Sequence, residues 1–231
     1  MDKTRISSYL REHLDDIEKK KEPGPFITIS RQYGCDGEEL GRLLLEKLNQ
    51  MDPEARWNFY YKELLRRLSE DTGLPEEFLE KERLAKSGII KDFLRGLKRE
   101  SIPDGLEIRN QITIMIRTIA FEGYAVILGQ GAAAATADIS NGLSIRLEAP
   151  REWRIARISV REKLDKSAAA KRIDEVEEQR KHLRKIYEEQ NPREPAFSLT
   201  LDNSLFSKDL IVELVIQIML NKGLIQELPQ I

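Results

Sequence analysis

Ten consecutive residues carry the types and spacing that suit phosphate chemistry: Ser30, Arg31, Gln32, Tyr33, Gly34, Cys35, Asp36, Gly37, Glu38 and Glu39. They lie between an apolar stretch, Phe26 to Ser30, and a run in which Leu40, Leu43, Leu44 and Leu48 recur at helical spacing. A loop leading into a helix offers unpaired backbone N–H groups and the positive end of the helix dipole, and glycines let that backbone approach an anion. The expected form is a strand ending near Ser30, a helix starting near Gly37 or Glu38, and the N–H groups of residues 34 to 39 converging on one point. The loop departs from G-x-x-x-x-G-K-S/T, because no lysine follows Gly37 and Glu39 stands near the place of the magnesium-binding hydroxyl. By pattern alone, an ordinary strand-to-helix turn explains it equally well, with Glu38 and Glu39 complementing the dipole.

Cations are the next groups to place. Arg154, Arg157 and Arg161, spaced by three and four, share nearly one helical face and could meet phosphate, although a solvated face paired with Glu152 and Glu162 is the commoner arrangement. Arg180 and Arg184 are weaker candidates, with Glu177 and Glu188 as alternative partners. His13 and His182 have no His or Cys neighbour at ligand spacing, which argues against a metal centre built on histidine. Cys35 at a helix N-terminus would have a lowered pKa if exposed, but nothing nearby supplies a base. Trp57, Tyr60 and Tyr61 could frame a base, though aromatics ending a strand are more often core. Asp202, Asn203 and Ser204 precede an N-cap at Ser207.

The elements that position these residues alternate in type. FITIS (26–30), WNFYY (57–61), YAVIL (124–128), LSIRLE (143–148) and SLTL (198–201) read as strands, and amphipathic helical patterns separate them. Such alternation predicts an α/β fold with a parallel sheet wrapped by helices, with ligands beyond the carboxyl ends of the strands. Residues 1–25 read as a helical extension ending in the Pro23-Gly24-Pro25 linker, and residues 62–122 as a helical insert covering a site. The whole chain, 1–231, is expected to form a single domain.

The bulk numbers exclude several classes of function. Lys plus Arg at 38 against Asp plus Glu at 40 leaves a net charge of −2, which gives no long-range attraction to nucleic acid or anionic lipid. The one cysteine precludes an internal disulfide, and the N-terminus has no apolar leader, so a cytoplasmic protein is expected. LIVELVIQIML (210–220) is far short of a membrane span and reads as a buried helix.

The segment ITISRQYGCDGEELGRLLLEKL resembles the opening of the cytidylate kinase-like family, usually close to ITISRQ-G-S-G-G-R-E-I-G before a leucine-rich helix. GYAVILGQGA (123–132), LSIRLEAPREWRIARI (143–158) and FSLTLDNSLFSKDLIVELV (197–215) are similar to three further family blocks, in order. The resemblance implies a nucleoside monophosphate (NMP) kinase-like P-loop fold: a five-stranded parallel sheet with helices on both faces, an NMP-binding insert over 62–122, and a lid over 151–190. It also implies ATP and Mg²⁺ as cofactors and phosphoryl transfer from ATP to CMP or a related nucleoside monophosphate. Arg31, Arg157 and Arg161 would then act on phosphates. Ser30 to Glu39 and Asn203 would hold ATP, Tyr61, Lys62, Arg117 and Gln130 the acceptor, and Asp36 and Glu39 the magnesium. The implied partner is a nucleotide, with no nucleic acid and no membrane, and a homodimer is the assembly left open.

Departures from the family text cluster where chemistry belongs. Asp36 stands for a glycine, Glu38 for an arginine, Gln130 for the arginine of GRGA, Tyr61 for an aspartate and Leu183 for a lid tyrosine. A carboxylate ~5 Å from a phosphate charge costs about 3 kcal/mol at an effective dielectric of about 20. Three readings follow: an active nucleotide kinase, a catalytically inactive nucleotide- or anion-binding regulator of the same fold, and a partner-binding domain.

Overall fold

The computed structural model describes residues 22–84, 105–192 and 194–226. The expected N-terminal helix lies outside the described residues, as does the middle of the 62–122 segment. Within them, five strands run β1 (Phe26–Arg31), β2 (Asn58–Tyr60), β3 (Ala125–Leu128), β4 (Gly142–Glu148) and β5 (Leu199–Asp202). All pair in parallel, in the order β2-β3-β1-β4-β5. Each strand found lies within a residue or so of a sequence-predicted one, and the fold is the α/β five-stranded parallel sheet expected.

Burial on both faces explains why β1 and β3 are continuous apolar runs rather than alternating ones. Ile27, Ile29, Val126 and Leu128 point into one core layer with Leu40, Leu44 and Leu48 of α1 (Gly37–Met51). Phe26, Ala125 and Ile127 point into the opposite layer. There they meet Leu64 and Leu68 of α2 (Glu63–Thr72), Leu79 of α3 (Glu76–Leu84), and Ile112 and Ile116 of α4 (Gly105–Glu122). Period-two side-chain direction along the strands thus divides the protein into helix, sheet and helix layers.

A short helix α5 (Ala132–Ala135) follows β3. After β4 come α6 (Arg151–Glu162) and the long α7 (Lys166–Gln190), joined by Lys163 at φ 56° and capped by Asp165, which accepts from the Ala168 N–H at 2.8 Å. Ile155 and Ile158 of α6 pack on Ala169 and Ile173 of α7 in a small core of their own. The last helix, α8 (Lys208–Asn221), starts at the Ser207 cap and buries Ile211, Val215 and Met219 against the sheet, as its apolar pattern predicts. No helix among the described residues is long and apolar enough to cross a membrane.

Candidate functional site

The strand order places β1 between β3 and β4, so the loop after β1 opens where connections leave the sheet in opposite directions. That is where α/β sheets hold ligands. A cleft of about 1020 Å³ occupies this position. Its floor is Ser30 and Arg31 from β1 and Gly129, Gln130 and Gly131 after β3; its walls are α2 with α3 on one side and α7 on the other.

The glycine loop runs from Arg31 to Gly37 as expected, but its N–H groups do not all converge outward. Cys35 N–H turns back to the Gln32 carbonyl at 3.2 Å, Asp36 N–H donates to Asn203 Oδ1 at 2.9 Å, and Tyr33 N–H donates to the Glu177 carboxylate of α7. Gln32 ties the loop to β4, its N–H on the Leu147 carbonyl and its Oε1 on the Ala149 N–H at 2.9 Å each. Gly34 has φ 100°, and a Cβ there would lie 2.9 Å from Arg154 Cβ, so glycine is required by both backbone and packing. Arg154 itself is buried and braces the loop, donating to the Tyr33 carbonyl at 3.2 Å and the Ala149 carbonyl at 3.0 Å.

Tyr33 is held at every functional atom. Its hydroxyl donates to Glu162, which keeps that carboxyl below its ordinary range, and Arg161 and Arg180 each lie 5.2 Å from its ring. Arg157 and Arg161, expected to act on phosphates, are not among the residues lining this cleft. Arg157 pairs with the Asp36 carboxylate and lies 4.6 Å over the Trp153 ring. Arg161 sits on Tyr33 and Glu162.

The cations that do enter the cleft come mostly from elsewhere. Arg31 lies 5.5 Å over the Tyr61 ring and fits only because residue 129 has no side chain: a Cβ there would be 2.2 Å from Arg31 Nη1. Arg180 donates to the Arg31 carbonyl at 3.2 Å. Burial pushes the Arg31 pKa down, against an opposing effect of Tyr61. Burial and then the neighbouring Arg31 charge push Arg180 down to about 10, with Glu177 partly offsetting them. Arg146, buried in β4, donates to Ser30 Oγ at 2.9 Å and Glu148 at 3.1 Å. Arg83, buried on α3, is neutralised by both oxygens of Glu80 at 2.7 and 2.8 Å and also donates to Gln130 Oε1.

The remaining candidates are placed as follows. Tyr61, Lys62 and Gln130 line the cleft; Arg117 does not, being paired with Asp138 at 2.6 Å and with the Ala135 carbonyl at 2.7 Å. Cys35 is buried, and desolvation raises its thiol to about 11, opposite to the lowering expected for an exposed thiol at a helix start. Glu38 pairs with Arg42 at 3.0 Å and Glu39 with Lys208 at 2.5 Å. With Asp36 on Arg157, both proposed magnesium ligands are already compensated by protein cations. Among the described residues no group of three or more His, Cys, Asp and Glu could hold a metal. The residues therefore do not fit a magnesium site built by the protein alone.

Arg83, Arg146 and Glu177 were not singled out as site residues from sequence. Arg146 had a signal, a lone charge inside the apolar strand LSIRLE; Arg83 and Glu177 had none, being charges on charged helices.

Comparison with known proteins agrees with this geometry. The chain matches the cytidylate kinase-like family over residues 26–205 and belongs to that family. No match was found among curated proteins. Of solved structures, an uncharacterised protein from Eubacterium ventriosum is 18% identical with a TM-score of 0.59, covering 84% of this chain and 98% of its own. Shikimate kinase from Bacteroides thetaiotaomicron is 14% identical with a TM-score of 0.50, covering 86% and 98%. At these identities both similarities concern the fold alone.

Proposed function

From membership in the cytidylate kinase-like family, we propose that this protein transfers a phosphoryl group from ATP to CMP or a related nucleoside monophosphate. The observation that carries the reading is that Arg31, on the floor of the 1020 Å³ cleft at the carboxyl end of β1, and Arg180, on its α7 wall, meet beside the glycine loop. Two like charges held together and desolvated are unfavourable in the empty protein, and an anion of two charges removes the conflict. Residues 62–122 would close over the acceptor and residues 151–190 would act as the lid. Tyr61 and Lys62 would meet the acceptor, and the loop of residues 30–39 the donor phosphates. In the transfer, an oxygen of the acceptor phosphate attacks the γ-phosphorus, the bond to the β-phosphate oxygen breaks, and ADP leaves. The arginines supply positioning and charge stabilisation rather than covalent chemistry.

A second reading, a catalytically inactive nucleotide- or anion-binding regulator, is favoured by one observation. Two N–H groups of the loop, at Tyr33 and Asp36, are already bonded to Glu177 and Asn203. Calorimetric titration with CMP, and with ATP with and without Mg²⁺, combined with an ADP-release assay, separates the two. Saturable CMP binding with CMP-dependent ADP release supports the kinase. Binding without ADP release supports the regulator, and no binding of either nucleotide overturns both.

A further inference from the structure

Glu177 makes a contact that a kinase site does not need and that a ligand would have to break. Its carboxylate accepts from the Tyr33 N–H in the glycine loop, and its Oε1 lies 3.9 Å from Arg180 Nη1. It is a negative group seated on a loop N–H and against an arginine, where a phosphate oxygen would make the same two interactions. The Arg180 guanidinium in turn bonds the Arg31 backbone carbonyl at 3.2 Å, and the Glu177 carboxylate is also among the charges that act on the Arg31 guanidinium.

We propose that Arg31 and Arg180 form a binding site for a phosphate-monoester dianion, and that Glu177 is an internal counter-anion which occupies this site in the empty protein and is displaced by the ligand. The class of ligand rests on the nucleotide reading above; the displacement does not.

Three features support the site as a built one. Arg31 is seated by Tyr61 on one side and by the bare Cα of Gly129 on the other, where φ is 73°. Arg180 is seated on the Tyr33 ring, and both guanidiniums line the same cleft. Of the four arginines from β1, α3, β4 and the middle of α7 that line the cleft, Arg146 has Glu148 at 3.1 Å and Arg83 has Glu80 at 2.7 Å, whereas Arg180 has Glu177 at 3.9 Å. Once Glu177 is displaced, the two arginines present two positive charges, which a dianion matches and a monoanion does not.

Displacement also has a mechanical path. Glu177 belongs to α7, and α6 with α7 packs through its own small core of Ile155, Ile158, Ala169 and Ile173. The Glu177 side chain, 29% exposed, can leave the Tyr33 N–H by rotating about its own bonds while α7 keeps its packing.

The test is calorimetric titration of the full chain with inorganic phosphate, CMP and cytidine. It compares the wild type with Glu177→Gln, Glu177→Asp, Arg180→Gln and Arg31→Gln, with thermal melts to confirm folding. The expected result is binding of phosphate and CMP but not cytidine, loss of at least tenfold in affinity in either arginine variant, and a gain of at least fivefold in Glu177→Gln. Glu177→Asp, which keeps the charge but withdraws it by one methylene, is expected to gain affinity too, and it serves alone if Glu177→Gln does not fold. Affinity unchanged within twofold or weakened in both Glu177 variants overturns the displacement. Arginine variants that fold and bind phosphate as the wild type does overturn the site, as does absence of phosphate binding in every form. CMP-dependent ADP release is read in parallel. Its absence with the affinity pattern intact refutes the kinase reading alone, and its presence without that pattern refutes this inference alone.

Discussion

The Asp36 carboxylate at the tip of the glycine loop is ion-paired with Arg157 of α6. An acid in a phosphate loop is therefore not left facing the ligand: the helix that follows β4 brings a guanidinium to it, and the repulsion estimated for a free carboxylate is largely cancelled.

Removing that guanidinium is expected to restore the repulsion. Arg157 has 42% of its side chain exposed, so the pair contributes at most about 1 kcal/mol to stability, and Arg157→Ala should leave the melting temperature nearly unchanged. Phosphate and CMP affinity should fall by about fivefold, roughly 1 kcal/mol. Asp36→Asn added to Arg157→Ala should recover it, as titration of the four forms of this double-mutant cycle will read.

Gln130 and Arg83 are expected to behave as a unit. Restoring the family's arginine by Gln130→Arg places a second cation against the buried Arg83. Two bare charges ~4 Å apart would cost about 4 kcal/mol at an effective dielectric of about 20, of which the Glu80 carboxylate on Arg83 offsets a part. The single change should destabilise strongly, while Gln130→Arg with Arg83→Gln should recover most of the loss. Urea melts of the cycle decide it; destabilisation that adds up without recovery would show that the two do not interact.

Gly129→Ala is a test of how Arg31 is seated. The added Cβ would lie 2.2 Å from Arg31 Nη1, and φ 73° costs an alanine about 1–2 kcal/mol. The guanidinium end can swing aside, so the protein should fold, with a modestly lower melting temperature. Phosphate affinity is expected to drop by at least tenfold, by calorimetry, because the displaced end is the one that faces the ligand.

Asp138 predicts a pH dependence. Its pKa is held well below the ordinary 3.8, first by hydrogen bonding to Arg117. A folded-state pKa below the unfolded one means the stabilisation is present above the ordinary carboxylate value and lost as pH falls below it. With 53% of the side chain exposed, solvent screening limits the effect to about 1 kcal/mol. Asp138→Asn should thus lower the melting temperature by about 2–4 °C at pH 7. The difference should shrink toward zero as melts are taken below pH 4. A difference independent of pH would exclude the ion pair as its cause.

The sequence by itself determined the strands, the sheet type and the place of the glycine loop. Each of these follows from short-range pattern: FITIS and YAVIL are continuously apolar because both faces of a central parallel strand are covered, and helical periodicity brackets each of them. Arg31, Tyr61, Lys62 and Gln130 were also legible, since a site at strand ends lies in residues that directly follow the strands.

Only the tertiary structure decided what the charges do. Arg157 and Arg180 are both exposed-looking arginines at helical spacing, yet one neutralises Asp36, 121 positions earlier, and the other enters the cleft beside Arg31, 149 positions earlier. Glu177 reads as one acid among many on α7, and it is set against Tyr33 by the way α6 and α7 dock. Periodicity tells which face of a helix is polar. Which polar residue meets a distant partner depends on how helices are oriented over the sheet, and that is fixed by side-chain packing between elements far apart in the chain.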